Sequence, residues 1–395
     1  MSSAASGSAR KVTASKSLGK VLVTGGSGGL ASQIIAQLIQ RNATAQISTV
    51  DLRAPAEPIQ GCQYHSGDLT DEAAVAKIFA EVKPDVVIHT ASPRFDSPHP
   101  IMYKVNVDGT KNLLKIAQEA GVKAFVYTSS ASVISDNKTD LVNANEEYPL
   151  VIGDTQPEYY TTTKALAETA VIEANRPASH PRFLTCAIRP SGIYGVGDLL
   201  VLPGMLQAYY KGQTKFQLGE NTNLFDFTDN QNVAHAHHLA ATALLTTLER
   251  EEQGQARPLE HEKVDGEAFF ITNDSPIYFW DFTRSVWRHA GDQTAPSSIW
   301  HISKGMALFI ATAMEWIFWL LRLGAPNLTR TKVNFSCMTR YYNIDKAKRR
   351  LGYRPVITTE QGLPLAVADC IRRGVVPGMP EHLKGSAGGD TKKEK

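Results

Sequence analysis

The sequence predicts an α/β fold with a doubly wound parallel sheet, followed by a smaller C-terminal lobe. In the first half of the chain, short apolar runs that end in glycine or polar residues alternate with helical patterns. This alternation is typical of a parallel sheet covered by helices on both faces. Past Gly197 the alternation weakens, and residues 250–266 are strongly charged. We therefore expect a second lobe beyond that point.

Short apolar runs predict the strands of this sheet, and helical patterns lie between them. The predicted strands are Lys20–Thr24, Ile47–Val50, Asp85–Thr90, Ala124–Ser129 and Phe183–Ile188. The clearest predicted helices are Leu30–Leu38 and Gly109–Glu119. These elements predict a nucleotide-binding domain over 19–200 and a substrate lobe over 201–380. Residues 1–18 are expected to form a disordered tail, and residues 381–395 a flexible basic tail.

Composition excludes several classes of protein. A length of 395 residues allows one large or two ordinary domains. The net charge of +2 predicts no broad basic face for nucleic acid. The four cysteines have no paired spacing and are interpreted as reduced thiols. The N-terminal stretch is rich in Ser, Ala and Lys without an apolar core, so it is not a secretory signal.

A glycine-rich turn, TGGSGGLA, follows the first predicted strand and opens the first predicted helix. Small residues let the backbone approach a phosphate closely, and the helix N-terminus then faces it. Gly25, Gly28, Gly29 and Leu30 are the candidate residues, and Ala31 replaces the usual last glycine. An ordinary strand–helix turn is the alternative. The position between strand and helix favours a dinucleotide site.

Two acidic residues are candidates for binding the adenosine part of such a cofactor. Asp51 ends the second strand and is expected to accept hydrogen bonds from the ribose hydroxyls. Its charge would repel a 2′-phosphate, which favours NAD over NADP, although Arg53 would weaken that preference. Asp68 is expected to reach the adenine amine, and a helix N-cap is its alternative role.

Tyr160, Lys164 and Ser130 form the candidate catalytic set. A spacing of four places the Tyr160 phenol and the Lys164 amine on the same helical face. A phenol has an unperturbed pKa of about 10, and we expect the nearby ammonium to lower it. Ser130 follows a predicted strand and would hydrogen-bond a substrate hydroxyl. The set predicts transfer of a hydride from an alcohol to a nicotinamide.

The histidines His235, His237 and His238 are spaced like metal ligands. Because no Asp, Glu or Cys set accompanies them, we expect an ordinary helix and no metal.

Residues 306–322 are the most apolar stretch, but they are shorter than the roughly 20 residues that span a bilayer. Trp316 and Trp319 would suit a membrane interface. A buried core helix or dimer helix is the alternative for this stretch.

From about Lys20 to Pro380 the chain resembles the 3β-hydroxysteroid dehydrogenase family of extended short-chain dehydrogenases. The resemblance lies in VIHTASP (87–93), VNVDGTKNLL (105–114), YTSSASV (127–133), IRPSGIYGVGD (188–198), FDFTDNQNVAHAHHLA, GEAFFITND and YYNIDKAKRRLGYRP. It implies a Rossmann-type fold, and it places Ser130 at the catalytic serine and Asn106 where the active-site helix is ordered. It also implies cofactor contacts from Leu69, Thr90, Ala91, Ser92, Asn106, Tyr160, Lys164, Pro190, Gly192 and Ile193. The family usually has an aromatic and a small or apolar residue at Asp229 and Asn230, so we expect a more polar substrate side.

The resemblance implies oxidation of the 3β-hydroxyl of a 4α-carboxysterol by NAD, with loss of the carboxylate as CO2, as in ergosterol biosynthesis. It implies the cytosolic face of the endoplasmic-reticulum membrane, beside other sterol C-4 demethylation enzymes. The terminal KKEK resembles a dilysine retrieval signal. A cytoplasmic location and a homodimer stay open.

Several other functions also stay open. One is a 3β-hydroxysteroid or secondary-metabolite dehydrogenase that does not decarboxylate. Another is a nucleotide-sugar epimerase or dehydratase, although residues 130–132 lack the acid of a dehydratase and the apolar stretch at 306–321 disfavours an epimerase. A non-catalytic NAD-binding sensor or scaffold is the third.

Overall fold

The computed structural model describes residues 17–324 and 326–380. Most of the predicted N-terminal tail (1–18) and the whole of the predicted basic tail (381–395), with KKEK, lie outside the described residues.

Strands are distributed along the whole described part of the chain. In chain order they are β1 (Lys20–Thr24), β2 (Gln46–Asp51), β3 (Cys62–Ser66), β4 (Val86–His89), β5 (Ala124–Thr128), β6 (Leu141–Ala144), β7 (Leu184–Pro190), β8 (Ile193–Tyr194), β9 (Phe216–Leu218), β10 (Leu224–Phe225), β11 (Thr228–Asp229), β12 (Glu267–Ile271), β13 (Ile277–Tyr278), β14 (Trp300–Ile302) and β15 (Arg340–Tyr342).

Helices connect most of these strands. In chain order they are α1 (Gly29–Gln40), α2 (Glu72–Val82), α3 (His99–Tyr103), α4 (Thr110–Glu119), α5 (Tyr159–Glu173), α6 (Val201–Tyr210), α7 (Asn230–Glu252), α8 (Phe279–His289), α9 (Lys304–Leu321), α10 (Arg330–Cys337), α11 (Asp345–Arg350) and α12 (Thr359–Arg372). A π-helical turn, Lys104–Gly109, joins α3 to α4, and a 3₁₀ turn, Ala131–Ile134, follows β5.

Seven strands form a parallel sheet in the order β12-β7-β5-β4-β1-β2-β3. The predicted α/β fold class is confirmed, and all five predicted strands lie in this sheet. Strands β3 and β12 were not predicted from the sequence pattern. Strand β3 is only partly buried, so it lacks the continuous apolar run that marks the central strands.

Alternating side chains of the central strands build two cores, one on each face of the sheet. Val21 and Val23 of β1 pack in one core with residues of α1 and α7, such as Ile34 and Val233. Leu22 points to the opposite face, into a core formed with α2, α4 and α5. This period-two alternation is what a strand buried on both faces requires.

The predicted division at residue 200 stays a prediction, but the sheet crosses it. Strand β12 pairs in parallel with β7 along residues 267–271, and helix α7 covers the same face as α1. Both elements come from beyond residue 200 in the chain. The C-terminal part of the chain therefore completes the seven-stranded parallel sheet and also forms a second lobe.

The second lobe has its own apolar core. Strand β10 joins β13, β15 and β6 in a four-stranded sheet of mixed direction. Helices α6, α8 and α12 pack around aromatic side chains, which include Tyr194, Phe225, Phe227, Phe282 and Trp287. Because β6 follows β5 and its 3₁₀ turn, this lobe adjoins the carboxyl edge of the main sheet.

Helix α9 leaves most of its apolar surface exposed. Ala307 and Ala311 are its buried residues, packed with Val333 of α10. Phe309 and Trp319 are each 71% exposed. The chain here is therefore not a buried core helix, which was one alternative for this stretch.

Candidate functional site

The glycine turn lies at the carboxyl edge of the parallel sheet, where α/β proteins of this topology bind ligands. Gly25 has a positive φ of 74°, and a Cβ there would stand 2.8 Å from the Cα of Ala91. A Cβ on Gly29 would stand 2.6 Å from the carbonyl oxygen of Gly197. The turn therefore depends on glycine at both positions.

The residues around this turn fit a dinucleotide. Helix α1 begins at Gly29 with Gly28 as N-cap and no side-chain cap among the described residues, so backbone N–H groups of its first turn are available to an anion. The Asp51 carboxylate accepts a hydrogen bond of 2.9 Å from the Ser27 N–H, which fixes it beside the turn. Leu30 is half-buried, and the methyl group of Ala31 packs in the core.

Asp68 and Leu69 lie just beyond β3 on the same edge. Asp68 Oδ1 accepts hydrogen bonds from the Thr70 N–H and hydroxyl, each at 2.8 Å. The N-cap of α2 is Asp71, which accepts from the Ala74 N–H at 3.0 Å. Asp68 is therefore not the helix cap, which was its alternative role. Leu69 is buried in the core beneath α2.

A hydrogen-bonded network connects β1 to the end of β4. The Thr90 hydroxyl donates to the Thr24 carbonyl at 2.6 Å, and the Ala91 N–H donates to the Thr24 hydroxyl at 3.1 Å. His89 contacts Thr24 through Nδ1 and Thr110 through Nε2. Burial lowers the pKa of His89 to about 3, so this imidazole stays neutral. The network holds Thr90 and Ala91 against the glycine turn.

Ser92 and Asn106 connect this loop to helix α5. The Ser92 hydroxyl donates to Asn106 Oδ1 at 2.9 Å, and Asn106 Nδ2 donates to the Thr163 hydroxyl at 2.9 Å. Asn106 is buried in the π-helical turn, a distortion that frequently occurs at functional sites. Thr163 in turn donates to the Tyr160 carbonyl at 2.8 Å. The amide of Asn106 therefore positions the helix that carries Tyr160.

Tyr160 is half-buried at the start of α5, and its hydroxyl is hydrogen-bonded to Ser92. Burial raises the pKa of Tyr160 to about 12, and the bond to Ser92 opposes that shift.

Lys164 is buried one turn further along α5. Its ammonium donates to the Thr128 carbonyl at 2.6 Å and lies 4.6 Å from the centre of the Tyr127 ring. Burial lowers the pKa of Lys164 to about 7. The expected lowering of the Tyr160 phenol pKa by this ammonium is therefore not present here, because desolvation outweighs other effects on both groups.

Ser130 lies two residues after the end of β5 and is the N-cap of the 3₁₀ turn. Its Oγ accepts from the Ser132 N–H at 3.1 Å and lies 2.8 Å from Ser132 Oγ. Ser132 in turn accepts a bond of 3.0 Å from the Thr161 hydroxyl, next to Tyr160 in α5. Ser130 and Tyr160 are thus brought to neighbouring positions by elements far apart in sequence.

Pro190 ends β7, Ile193 begins β8, and Gly192 lies between the two strands at the same edge of the sheet. The Thr228 N–H donates to the Gly192 carbonyl at 3.0 Å. The neighbouring Ser191 hydroxyl donates to the Asp226 carbonyl at 2.7 Å. These bonds join the end of the main sheet to the second lobe.

The three histidines lie on helix α7, and each has a different environment. His237 contacts the Thr128 hydroxyl at 2.7 Å and the Val233 carbonyl at 2.8 Å. His235 contacts Arg41 at 2.9 Å, and Nδ1 of His238 is buried without a partner. Within residues 17–324 and 326–380, no cluster of three His, Cys, Asp or Glu side chains is arranged to hold a metal ion.

The prediction that Asp229 and Asn230 make the substrate side more polar is wrong. Asp229 caps helix α7 by accepting from the Gln231 N–H at 2.9 Å, and it packs against Gly362. Asn230 donates to the Val196 carbonyl at 2.6 Å. Both side chains are buried and bind the backbone of adjacent segments.

Several residues of this network were missed in the sequence. Thr24 and Thr163 are ordinary residues of predicted elements, and their hydrogen bonds reach across the sheet. Gly197 had a signal in the GVGD segment, because two glycines within three residues indicate a backbone conformation that other residues rarely adopt. Asn106 was placed by resemblance alone, since a π-helical turn leaves no periodic pattern.

Known proteins are similar to this chain over most of its length. The family model described as the 3-beta hydroxysteroid dehydrogenase/isomerase family matches residues 22–301. The sterol-4-alpha-carboxylate 3-dehydrogenase, decarboxylating, of Schizosaccharomyces pombe is 41% identical over 89% of this chain and 97% of its own length. The Saccharomyces cerevisiae protein of the same name is 39% identical over 88% and 97%. A dTDP-glucose 4,6-dehydratase from Bacillus anthracis, solved with NAD, superposes with a TM-score of 0.61 at 18% identity, over 89% of this chain and 96% of that one.

The parallel sheet, the glycine turn and the Tyr160 helix define a protein of the extended short-chain dehydrogenase class. Within that class, the chain belongs to the 3-beta hydroxysteroid dehydrogenase/isomerase family. The family predicted from the sequence motifs is thereby confirmed.

Proposed function

We propose that this chain oxidises the 3β-hydroxyl of a 4α-carboxysterol with NAD and releases the carboxylate as CO2. The observation that carries this proposal is the identity of 41% and 39% to two yeast enzymes named for that reaction, over 97% of their lengths. The arrangement of Tyr160, Ser130 and Lys164 around the carboxyl edge of the sheet supports it. When bound, NAD supplies the acceptor for the hydride that leaves carbon 3.

Tyr160 is the proposed base for the hydroxyl proton. A phenol with a pKa of about 12 releases its proton only if a cation stabilises the phenolate. Lys164 can supply that cation, because its buried amine regains a proton more readily beside a negative charge. The Ser92 hydroxyl, which donates to Asn106, can accept a hydrogen bond from the Tyr160 hydroxyl, and the proposed role of Ser130 is to align the substrate oxygen.

Tyr160 also has a role in the loss of CO2. Oxidation turns the substrate into a β-keto acid, in which the bond from carbon 4 to the carboxyl carbon breaks and its electrons move to the carbon 3 oxygen. The Tyr160 hydroxyl, which gained the substrate proton in the first step, returns it to this enolate. The residue is thus restored after each turnover, and Ser130 can stabilise the oxyanion in between.

The position of the Asp51 carboxylate favours binding of NAD over binding of NADP. Its carboxylate is held beside the glycine turn by the Ser27 N–H and by the Leu52 N–H at 2.7 Å. A 2′-phosphate at this place would bring a second negative charge close to it. Arg53 is exposed nearby, and its backbone oxygen accepts a hydrogen bond from the Ser27 hydroxyl.

The test is an assay of purified protein with NAD and a 4α-carboxysterol, in which cofactor reduction and CO2 release are followed together. We expect both products in equal amounts, and much slower reduction when NADP replaces NAD. Cofactor reduction without CO2 would support the dehydrogenase that does not decarboxylate. NAD binding without turnover on carboxylated or carboxyl-free sterols would contradict an enzymatic function.

We also propose that helix α9 lies on a membrane surface, with the endoplasmic reticulum as the membrane. No helix among the described residues is long and apolar enough to cross a bilayer. Trp316, Trp319 and Leu320 are exposed, while Glu315 faces the protein in an ion pair of 2.7 Å with Arg330. An apolar face that points outward is what an interfacial helix presents to lipid. Association with other sterol C-4 demethylation enzymes and a homodimer stay predictions.

A further inference from the structure

Two arginines are buried close to the proposed catalytic residues, and they differ in their partners. Arg189 of β7 makes a bidentate ion pair with Glu168 of α5, with Nε 3.0 Å from Oε2. Arg340 of β15 is 7% exposed. Within the described residues, no carboxylate lies within 4.0 Å of its guanidinium. Its side-chain hydrogen bond goes from Nε to the Tyr342 hydroxyl at 2.8 Å.

The acid that directly follows the adjoining strand β10 is not an ion-pair partner of Arg340 either. Asp226 follows β10, and its Oδ2 accepts the Tyr342 N–H at 2.8 Å. Its Oδ1 is buried without a hydrogen bond. Burial raises the pKa of Asp226 to about 7, so the carboxyl is only partly ionised at neutral pH. The Arg340 guanidinium, in a residue that is 7% exposed, therefore has no ion-pair partner among the described residues.

Arg340 is also close to the turn that carries Ser130. The Tyr342 hydroxyl, which receives the bond from Arg340, donates to the Ala131 carbonyl at 3.2 Å. Two hydrogen bonds thus separate the guanidinium from the residue after Ser130. On the other side, the guanidinium carbon lies 6.0 Å from the centre of the Phe225 ring, in the aromatic core of the second lobe.

We infer that Arg340 binds the 4α-carboxylate of the substrate and is the specificity residue for it. This inference rests on the proposed function. The carboxylate stands on the carbon next to carbon 3, so it lies beside the oxygen that Ser130 and Tyr160 hold. A guanidinium has five N–H donors, and one is in use here, which leaves a pair for a planar carboxylate.

The energetics favour such a partner. A buried charge without a counterion is destabilising, and a charged hydrogen bond formed in a site of low dielectric is stronger than one in water. A substrate carboxylate supplies the missing countercharge, whereas a sterol without the carboxyl group leaves Arg340 unpaired and excludes water from it. Arg340 therefore discriminates between these two sterols at the binding step.

The test compares two substrates, a 4α-carboxysterol and the same sterol without the carboxyl group, in wild type, Arg340→Gln and Arg340→Lys. Arg340→Gln is expected to lower kcat/KM for the carboxysterol by about 100-fold, mainly through KM, as for loss of about 3 kcal/mol of a charged hydrogen bond. The value for the carboxyl-free sterol should change less than about threefold. Arg340→Lys keeps the charge and should restore part of the loss.

Tyr342→Phe is the matched control, because it removes the hydroxyl that Arg340 contacts and leaves the charge in place. A purely structural role for Arg340 predicts that Arg340→Gln and Tyr342→Phe slow both substrates alike, and that result would overturn the inference. If Arg340→Gln does not fold, Arg340→Lys decides the question. The inference is overturned if the ratio of kcat/KM for the carboxysterol to kcat/KM for the carboxyl-free sterol is the same in Arg340→Lys as in wild type.

The proposed function can fail separately. If wild type turns over neither sterol, equilibrium binding of the carboxysterol, followed by tryptophan fluorescence, still decides the role of Arg340. Tighter binding to wild type than to Arg340→Gln would uphold the inference, and equal binding would reject it.

Discussion

At the scale of single residues, burial shifts the two titratable groups of the site in opposite directions. It raises the pKa of Tyr160 to about 12 and lowers the pKa of Lys164 to about 7. Both shifts favour the uncharged forms, phenol and amine. A proton moved from Tyr160 to Lys164 would create a phenolate–ammonium pair, in which each charge stabilises the other. In this cofactor-free state the neutral pair is favoured, so formation of the ion pair must be coupled to binding of substrate and cofactor.

Replacement of Tyr160 by Phe tests the proposed base. We expect Tyr160→Phe to lower kcat by about 10²–10⁴-fold, the usual contribution of a positioned acid–base group, while NAD affinity is retained. Tyr159→Phe is the matched control, since Tyr159 is the preceding residue and stacks on His99 with ring centres 4.1 Å apart. Steady-state rates and NAD titration measure both effects. A normal rate in Tyr160→Phe would show that another group accepts the proton.

The Lys164 shift predicts how stability depends on pH. In the unfolded chain this lysine holds its proton up to a pH of about 10, whereas the folded protein releases it near pH 7. Between these values the unfolded state binds more protons, so the free energy of unfolding rises with pH. Lys164→Met should lack this rise. Urea unfolding of cofactor-free protein between pH 6.5 and about 9.5 measures it. Parallel curves for wild type and variant would contradict the lowered pKa.

At the scale of elements, helix α5 is held to the sheet at two places. Near its start, Thr163 accepts from the Asn106 amide, and further along the helix Glu168 pairs with Arg189 of β7. Lys164 lies between these two anchors and donates to the carbonyl of Thr128, the last residue of β5. The position of the proposed catalytic groups therefore depends on these polar contacts. Apolar packing of the helix alone would not provide them.

Loss of the second anchor is expected to be costly. Glu168→Gln removes the carboxylate that pairs with the buried Arg189, and we expect a loss of about 3–5 kcal/mol in the free energy of unfolding. Glu173→Gln, on the exposed end of the same helix, should change it by less than about 0.5 kcal/mol. Denaturant unfolding compares the two. Equal effects would mean that the ion pair does not hold α5.

At the scale of the whole molecule, the exposed face of α9 departs from an ordinary globular surface. Phe309, Trp316, Trp319 and Leu320 are each at least 65% exposed. Contiguous apolar surface of this kind marks an interaction site. For the interfacial position proposed above, we expect lipid binding to be reversible.

The double substitution Phe309→Gln and Trp319→Gln tests this face. We expect its partitioning onto phosphatidylcholine vesicles to fall by about 10²–10⁴-fold, since each of the two apolar side chains contributes about 1.5–3 kcal/mol when fully buried. Leu259→Gln is the control, because Leu259 is also exposed but lies far from α9 in the sequence. Co-sedimentation measures binding. If the double variant and the control bind equally, α9 does not contact lipid.

The sequence predicted the central strands, and it placed Tyr160 and Lys164 on one helix, because both features have short-range patterns. Strand β1 matches its predicted range, and Tyr160 and Lys164 share a helical face as their spacing requires. Contacts between distant segments had no such pattern. The burial that shifts both pKa values depends on the packed fold, and the roles of Asp229 and Asn230 depend on which loops approach them. Single-sequence reasoning does not provide those distances.

Strand β12 has a consequence for how the chain folds as it is synthesised. This strand covers the outer edge of β7, and it leaves the ribosome only after helices α6 and α7. Until residue 271 emerges, β7 remains an open edge with unpaired backbone groups, exposed to association with other chains. A fragment that stops near residue 200 would keep this edge permanently, so the nucleotide-binding half should aggregate rather than fold when expressed alone.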